Sequence, residues 1–385
     1  MSVMVPVWKR PPRAVYLHVP FCRRRCGYCN FTLVAGRSDL IQPYLNSIAL
    51  EMAAYDDLPC QVDTIFLGGG TPSQVRDDHW RQLAAMLHRN FPLSADGEWS
   101  VEVNPEDVDR GYLEQLRTDG VTRVSLGVQS LSDDKLRTLE RQHTGQQARD
   151  AIQLAIDIMD TVSADLIFAA PNETLSRWKD DLASVIDLGV DHISTYGLTF
   201  EQGAAFWSQR EKGLLKTVGE ELELDMYLLA IESLIGAGFE HYEISNFAQP
   251  GNRCRHNECY WTGATYHAIG PGAARHLKGR RETNHRSTTE YLRRLQEGRS
   301  PVAESDEADD RERALEVLVF GLRRIDGVDR DWFLANTGFN LDDLGGQALQ
   351  EYREEGWLQD DGRRIALSRR GLVISDSLWG RLLAS

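Results

Sequence analysis

The 385-residue chain has no apolar run near the roughly 20 residues that a membrane span needs. Its first thirteen residues hold three prolines and no apolar stretch of signal-peptide length. Basic residues are in deficit: 43 Lys and Arg stand against 58 Asp and Glu, a net charge of -15. A protein that grips nucleic acid through its phosphates presents a basic surface, so nucleic acid is not an expected partner. Arg275, Lys278, Arg280 and Arg281 form the densest basic patch, and Arg23, Arg24 and Arg25 form a second; a solvated face is the plain reading of either. There are six cysteines, and they are not spread as a disulfide framework, because three crowd into residues 22–29. In a reducing compartment such crowding points to metal. These absences together suggest a cytoplasmic protein that meets membranes only at their periphery.

What is present is a regular alternation. Apolar strand segments are expected at Val15–Val19, Val62–Leu67, Ser100–Val103, Arg123–Val128, Ser163–Ala169 and His192–Tyr196. Helical spacing fills the intervals at Asp39–Tyr55, with Ser38 or Asp39 as cap, then at His79–Phe91, Tyr112–Thr118, Gly145–Met159 and Leu175–Leu188. Six strand–helix repeats imply an α/β fold with a parallel sheet, as a partial (β/α)6 TIM-like barrel or an open sheet. The glycine and polar motifs fall just after strands, at the rim where parallel α/β folds bind ligands. Three segments are expected: 1–200 as the partial barrel, 201–300 as its extension, and 301–385 as a small helical and winged domain. The acidic stretch Glu304–Asp310 reads as the last boundary, and Asp361-Gly362 as the turn of a hairpin over Leu358–Leu367.

Cys22, Cys26 and Cys29 have the spacing C-x3-C-x2-C. Structural zinc prefers four protein ligands in paired C-x2-C units, and here Phe31 stands where a fourth cysteine would follow. Three thiolates leave one iron of a cubane cluster open to a small chelating molecule. Gly68-Gly69-Gly70-Thr71-Pro72 follows the second strand, and glycines let backbone amides approach a ligand closely. Glu102, Gln129 and Asp165 lie at or near later strand ends, with Arg141 just beyond.

The triad, with Tyr28 before its last cysteine, resembles the radical S-adenosylmethionine superfamily. The resemblance implies a [4Fe-4S] cluster on Cys22, Cys26 and Cys29 that chelates S-adenosylmethionine and cleaves it reductively to a 5′-deoxyadenosyl radical. Tyr16-Leu-His18-Val-Pro20-Phe21-Cys22, with the Gly-Gly-Gly-Thr-Pro, Gly-Val-Gln and Asp-Leu-Ile segments, is similar to the oxygen-independent coproporphyrinogen III oxidase family. By that likeness Tyr16, Tyr28, Gly69, Gly70, Thr71, Glu102, Gln129, Arg141 and Asp165 contact S-adenosylmethionine, with Gln129, Arg141 and Asp165 at a second molecule where two are held. His18 is a further candidate.

Oxidases of the family carry an N-terminal extension and a cysteine at the position of Phe31. This chain has about fourteen residues before Val15. His256-Asn257-Glu-Cys-Tyr260-Trp261 instead resembles the motif of HemW-type haem chaperones, which implies haem at His256, Asn257, Tyr260 and Trp261. Imidazole is a common axial ligand of haem iron, and aromatic rings offer flat apolar surface to a porphyrin. Arg253 and Arg255 are candidates for its propionates. Cys254 and Cys259 read as small buried residues rather than a ligand pair, and Cys60 as structural. Two readings stay open on these residues. One is a haem chaperone that delivers haem to client proteins, respiratory enzymes among them, with a cluster-dependent dimer as a further expectation. The other is a radical enzyme that modifies a tetrapyrrole.

Overall fold

The computed structural model describes residues 4–383. Six strands and five helices alternate from its start. They are β1 (Ala14–Val19), α1 (Ile41–Ala53), β2 (Val62–Gly69), α2 (Asp77–Asn90), β3 (Leu93–Val103), α3 (Arg110–Thr118), β4 (Arg123–Gln129), α4 (Gly145–Ile158), β5 (Thr161–Phe168), α5 (Leu175–Leu188) and β6 (His192–Gly197). These strands pair in parallel, each with the next. After α6 (Glu220–Gly236) come β7 (Glu240–Glu243), β8 (Asn246–Ala248), α7 (Arg255–Trp261) and β9 (His267–Ile269). The sheet order is β9-β1-β2-β3-β4-β5-β6-β8-β7, with β9 parallel to β1 and β8 antiparallel to β6. Among the described residues β9 and β7 do not pair, so the barrel stays open.

Side chains alternate across each strand, and here the alternation is apolar outward and polar inward. On β3, Trp99, Val101 and Val103 pack outward in one core with Trp80, Leu83 and Leu113 of the covering helices. The intervening Glu98 and Ser100 are buried and hydrogen-bonded to each other, and Glu102 lines the lumen. Arg123 and Ser125, Ser163 and Asp165, and His192, Ser194 and Tyr196 continue that polar lining around the sheet. Helices cover the outer face, while the inner face lines a polar lumen.

Local signals set the helix ends. Asp109 accepts from the Tyr112 amide at the start of α3, Thr144 and Gln147 form a reciprocal capping box on α4, and Thr174 caps α5. The cap expected for α1 does not form. Ser38–Leu40 is a 3-10 turn that runs into the helix, and Asp39 turns instead to Arg37.

The acidic stretch expected as a linker is partly a strand. Val302–Asp306 pairs antiparallel with Arg280–Asn284, which pairs with Ala274–Leu277. The basic patch beside it is neutralised by acids: Arg275 by Glu282, Arg280 by Glu307 and Arg281 by Glu316. Those cations are therefore spent within the fold. Beyond α8 (Asp310–Leu322), short helices surround a three-stranded antiparallel sheet that includes the expected hairpin, Leu358–Asp360 with Arg364–Leu367. This part has its own apolar core, built on Leu318, Phe333, Leu349, Tyr352 and Ile365. No helix among the described residues is long and apolar enough to cross a membrane.

One buried acid ties the returning chain to the barrel. Glu51 on α1 accepts from the Gly270 amide at 3.0 Å, Asn284 Nδ2 at 2.7 Å and the Tyr291 hydroxyl at 2.5 Å. Removing it strands three buried donors, so Glu51→Ala should cost about 3–5 kcal/mol, the range for breaking a buried charged network. A fall in Tm on thermal unfolding checks this.

Candidate functional site

Phe21–Cys22 and Val34–Ala35 pair as a short bridge and close residues 22–35 into a loop at the carboxyl end of β1. The three arginines inside it hold its shape rather than face solvent freely. Arg23 pairs with buried Asp107 at 2.5 Å, Arg24 lies 3.5 Å from Glu140, and Arg25 donates to the carbonyls of Cys29, Phe31 and Leu33. A side chain at Gly27 would strike the Phe206 ring, which packs beneath the loop. Cys22, Cys26 and Cys29 are thereby brought to one wall of a cavity of about 540 Å3 over the barrel rim. Among the described residues no three His, Cys, Asp or Glu side chains converge on a single-ion geometry.

The same cavity gathers Tyr28, Gly69, Gly70, Thr71, Glu102, Gln129, Arg141 and Asp165 from six different elements and loops. Thr71 Oγ1 sits 3.2 Å from Cys22 Sγ, and Arg141 Nη1 approaches Cys26 Sγ at 3.8 Å. Burial pushes the Cys22 thiol up to about 11 and raises that of Cys29, opposed by the Thr71 hydroxyl and by Arg25 and Arg141. The glycines are needed for space. A Cβ at Gly70 would lie 2.8 Å from the Val19 carbonyl, and one at Gly69, whose φ is +108°, would enter the His18 ring. Tyr16 and His18 point to neighbouring space: the Tyr16 hydroxyl lies 3.1 Å from His18 Nδ1, and His18 Nε2 lies 2.7 Å from the Thr32 carbonyl.

Two carboxylates face this cavity without a cation. Glu102 accepts from the Gly69 amide at 3.0 Å, and Asp165 accepts from Ser125 at 3.1 Å. Glu102 is open only to the cavities it lines. Burial, with Asp165 nearby, pushes its carboxyl up to about 8, and burial raises Asp165 to about 6. An enclosed pair of acids with no counter-charge is a seat for a cationic ligand. Sequence reasoning missed Tyr196, at the end of β6, which also lines this cavity. Only its inward position on a polar strand marks it.

A second space of about 180 Å3 continues down the lumen from Glu102, Ser125, Asp165 and Tyr196 to His256, Asn257 and Tyr260. The segment 255–261 is the short helix α7 closing the amino end of the barrel. Its seat is built by Glu98, which accepts from the amides of Arg255 and His256 at 3.2 Å each and is paired with Arg123 at 3.3 Å. His256 is 1% exposed, and both its nitrogens are taken, Nδ1 by Thr64 Oγ1 and Nε2 by the Tyr260 hydroxyl, each at 2.8 Å. Burial pushes its imidazole down to about 3, so it is neutral. The four residues grouped by the sequence motif thus do not share one surface. His256 and Asn257 face the inner lumen, Tyr260 also borders a third cavity, and Trp261 packs against Phe320 of α8 beneath Arg323. Arg253 is consumed by Glu240 and Asp326, whereas Arg255 is exposed and donates only to the Asp96 carbonyl, with no acid among the described residues within ion-pair distance. Cys254 is buried beside Glu98 and burial raises its thiol, as expected of a residue that packs rather than ligates.

Comparison with known proteins gives a consistent set of likenesses. Residues 16–185 match the model of the Radical SAM superfamily, and residues 308–374 match that of the HemN C-terminal domain. The chain is 31% identical to heme chaperone HemW of Bacillus subtilis (strain 168), with 96% of this chain and 99% of that protein covered. It is 30% identical to heme chaperone HemW of Lactococcus lactis subsp. lactis (strain IL1403), covering 97% of each. The solved structure of coproporphyrinogen III oxidase (HemN) from Escherichia coli, a radical SAM enzyme, superposes with a TM-score of 0.85 at 20% identity, over 98% of this chain and 91% of that one.

The site makes two predictions. Glu102 binds a proton in the folded protein up to about pH 8, whereas an unfolded glutamate loses it near ~4.3. Between those values the folded state holds more protons, so stability of the ligand-free protein falls as pH rises from about 5 to 8. Glu102→Gln should flatten that slope in a series of thermal melts. His256→Ala removes two buried hydrogen bonds and the stack on Phe66, and should lower stability by about 2–4 kcal/mol, read as a lower midpoint in denaturant.

Proposed function

The chain belongs to the HemW family of the radical S-adenosylmethionine superfamily, and on that premise we propose that it is a haem chaperone, which binds haem and delivers it to haem-requiring proteins while carrying a [4Fe-4S] cluster and S-adenosylmethionine. The observation that carries this reading is likeness along the whole chain, from the cysteine loop through α7 to the C-terminal sheet, to relatives named heme chaperones. Respiratory enzymes as clients, delivery from the cytoplasm at the membrane periphery, and pairing of two copies through the cluster belong to the same proposal.

The residues of the upper cavity fit the cofactors in charge and space. Cys22, Cys26 and Cys29 would hold the cluster on three thiolates, with the fourth position left for the small molecule. The Gly69–Gly70 backbone and Thr71 form a cradle that a side chain would fill. Glu102 and Asp165, the former protonated in the ligand-free protein, would ionise on binding a cation and so match an ammonium or sulfonium group in a closed space, and Arg141 would serve a carboxylate or a cluster sulfur. Tyr28 and Gln129 complete the proposed set at this rim, and Tyr16 lies instead on the two neighbouring spaces. When bound, the cluster and S-adenosylmethionine supply one-electron chemistry at a carbon–sulfur bond. The protein's own contribution is to exclude water from that rim and to fix charge around it.

For haem, the segment 255–261 offers Tyr260 to a cavity that opens to solvent. Ligation through His256 requires α7 to release Thr64 or Tyr260 first, because no ring nitrogen is free. In the folded state His256 ties α7 to Thr64 of β2, and Trp261 packs the helix on Phe320 of the C-terminal part.

Anaerobic reconstitution tests the cluster. The wild type should take up about four irons per chain, the content of the cluster named, and a Cys22/Cys26/Cys29→Ala triple variant should take up none; equal uptake would remove the assignment. Incubation of the reduced, loaded protein with coproporphyrinogen III separates the two tetrapyrrole readings. No protoporphyrinogen should form above the no-protein control, whereas turnover at enzymic rates would replace the chaperone with an oxidase.

A further inference from the structure

A third cavity, of about 700 Å3, opens beside β1 and β9, between the cysteine loop and the three-stranded sheet of residues 274–306. Its volume lies within the roughly 300–1,000 Å3 of sites that bury a medium-sized organic ligand. It is separate from the upper cavity, yet Phe31 and Arg286 border both. The Gly270–Gly272 turn presses its backbone against His18 and Thr32 there, so that the β9 connection and the cysteine loop form one continuous wall.

Three features of this cavity have no account in the upper site. The first is Phe31, two residues after Cys29, whose ring is 65% exposed on the rim. A large apolar ring held in water at a cavity mouth marks a contact surface. The second is a pair of tyrosines on the inner wall: Tyr260 and Tyr266 meet edge to face at 4.8 Å between centroids. They offer flat, rigid, apolar area with polar tips. The third is Arg286. It donates to the Asn30 carbonyl at 2.5 Å and to Thr32 Oγ1 at 3.4 Å, and no carboxylate among the described residues lies within ion-pair distance of it. Its neighbours Arg275, Arg280 and Arg281 are all paired. In a chain with 15 excess negative charges, a guanidinium left without an acid at a cavity mouth is free for an anionic ligand. The cavity lining has one acid, Glu304, and His18 is closed off by its two hydrogen bonds.

Taking haem chaperoning as the function, we infer that haem sits in this side cavity, with its apolar body among Phe31, Tyr260 and Tyr266 and a propionate on Arg286. The ligand class is set by the combination: an extended flat apolar body needs aromatic faces, and a peripheral carboxylate needs the unpaired fork. The placement puts haem beside the cysteine loop, which supplies Phe31 and, through Asn30 and Thr32, positions Arg286. It also gives the 255–261 segment a part in the site although His256 is sealed, since Tyr260 is both the partner of His256 and part of the cavity wall.

The test uses the full-length, cluster-reconstituted protein, titrated with haemin and with the dimethyl ester of the same porphyrin and followed by its absorbance band. One charge-assisted contact corresponds to roughly ten- to hundredfold in affinity. Arg286→Glu should therefore weaken haemin binding by about tenfold or more, Arg286→Lys should lie between it and the wild type, and Phe31→Ala should weaken haemin and ester alike. The ester should bind wild type and Arg286→Glu equally, because it has no carboxylate to lose; this arm separates charge recognition from misfolding. Equal haemin affinity in wild type and Arg286→Glu would overturn the proposal while leaving haem binding itself intact. Loss of S-adenosylmethionine with haemin binding retained would reassign Arg286 to the upper cavity. A wild type that binds no haemin would remove the chaperone reading together with this one.

Discussion

Everything in this molecule hangs on a parallel sheet whose strands are polar on the inside. A parallel strand is buried on both faces, so apolar side chains are the default on each. Here β3 to β6 put Trp99, Val124, Leu126, Ala164 and Ile193 outward under helices, and Glu98, Arg123, Ser125, Asp165, His192 and Tyr196 inward. Charge buried inside such a sheet must be paired, hydrogen-bonded or bound to something. At the amino end it is paired, Glu98 with Arg123. At the carboxyl end Glu102 and Asp165 have no cation and line the larger opening, so the two ends of the barrel differ in how their acids are paired.

The structural end is more than a plug. Glu98 holds the first amides of α7, α7 holds Thr64 of β2 through His256, and Trp261 carries the contact on to Phe320 and Arg323. Hydrogen bonds at the lumen floor and aromatic contacts beyond it therefore join the barrel to the C-terminal part. At the other end the cysteine loop is pinned from three sides, by Asp107, by Phe206 under Gly27 and by the Gly270–Gly272 turn. Glu51 fixes that turn. The loop that supplies the thiols is thus fastened by residues over 200 positions away in sequence, which is why the chain beyond the sixth strand cannot be regarded as an appendage.

The six strands and their helices were legible because a buried β–α repeat writes its period into the sequence, and their ends were set within a few residues by proline, glycine and capping side chains. The cysteine triad and the glycine cradle were legible as well, since ligand spacing within eight residues is a local property. Less was readable where contacts are long-range. Glu304 to Asp306 looked like a linker because acids crowd there, and became a strand because Arg281 and Arg313 face Asp306 across the turn of the chain. Arg253 looked available and is bound to Glu240 and Asp326.

The amino-acid sequence by itself determined the alternating fold and the family that the chain belongs to, because each rests on a pattern spread along the whole length. Only the tertiary structure decided which polar groups are spent and which are free. His256 in its motif reads as a ligand, and in the fold it is a neutral imidazole with both nitrogens bonded. Arg286 belongs to no motif, and in the fold it stands without an acid where two cavities meet. Availability depends on what lies across the barrel from a side chain, and one-dimensional spacing does not carry that information.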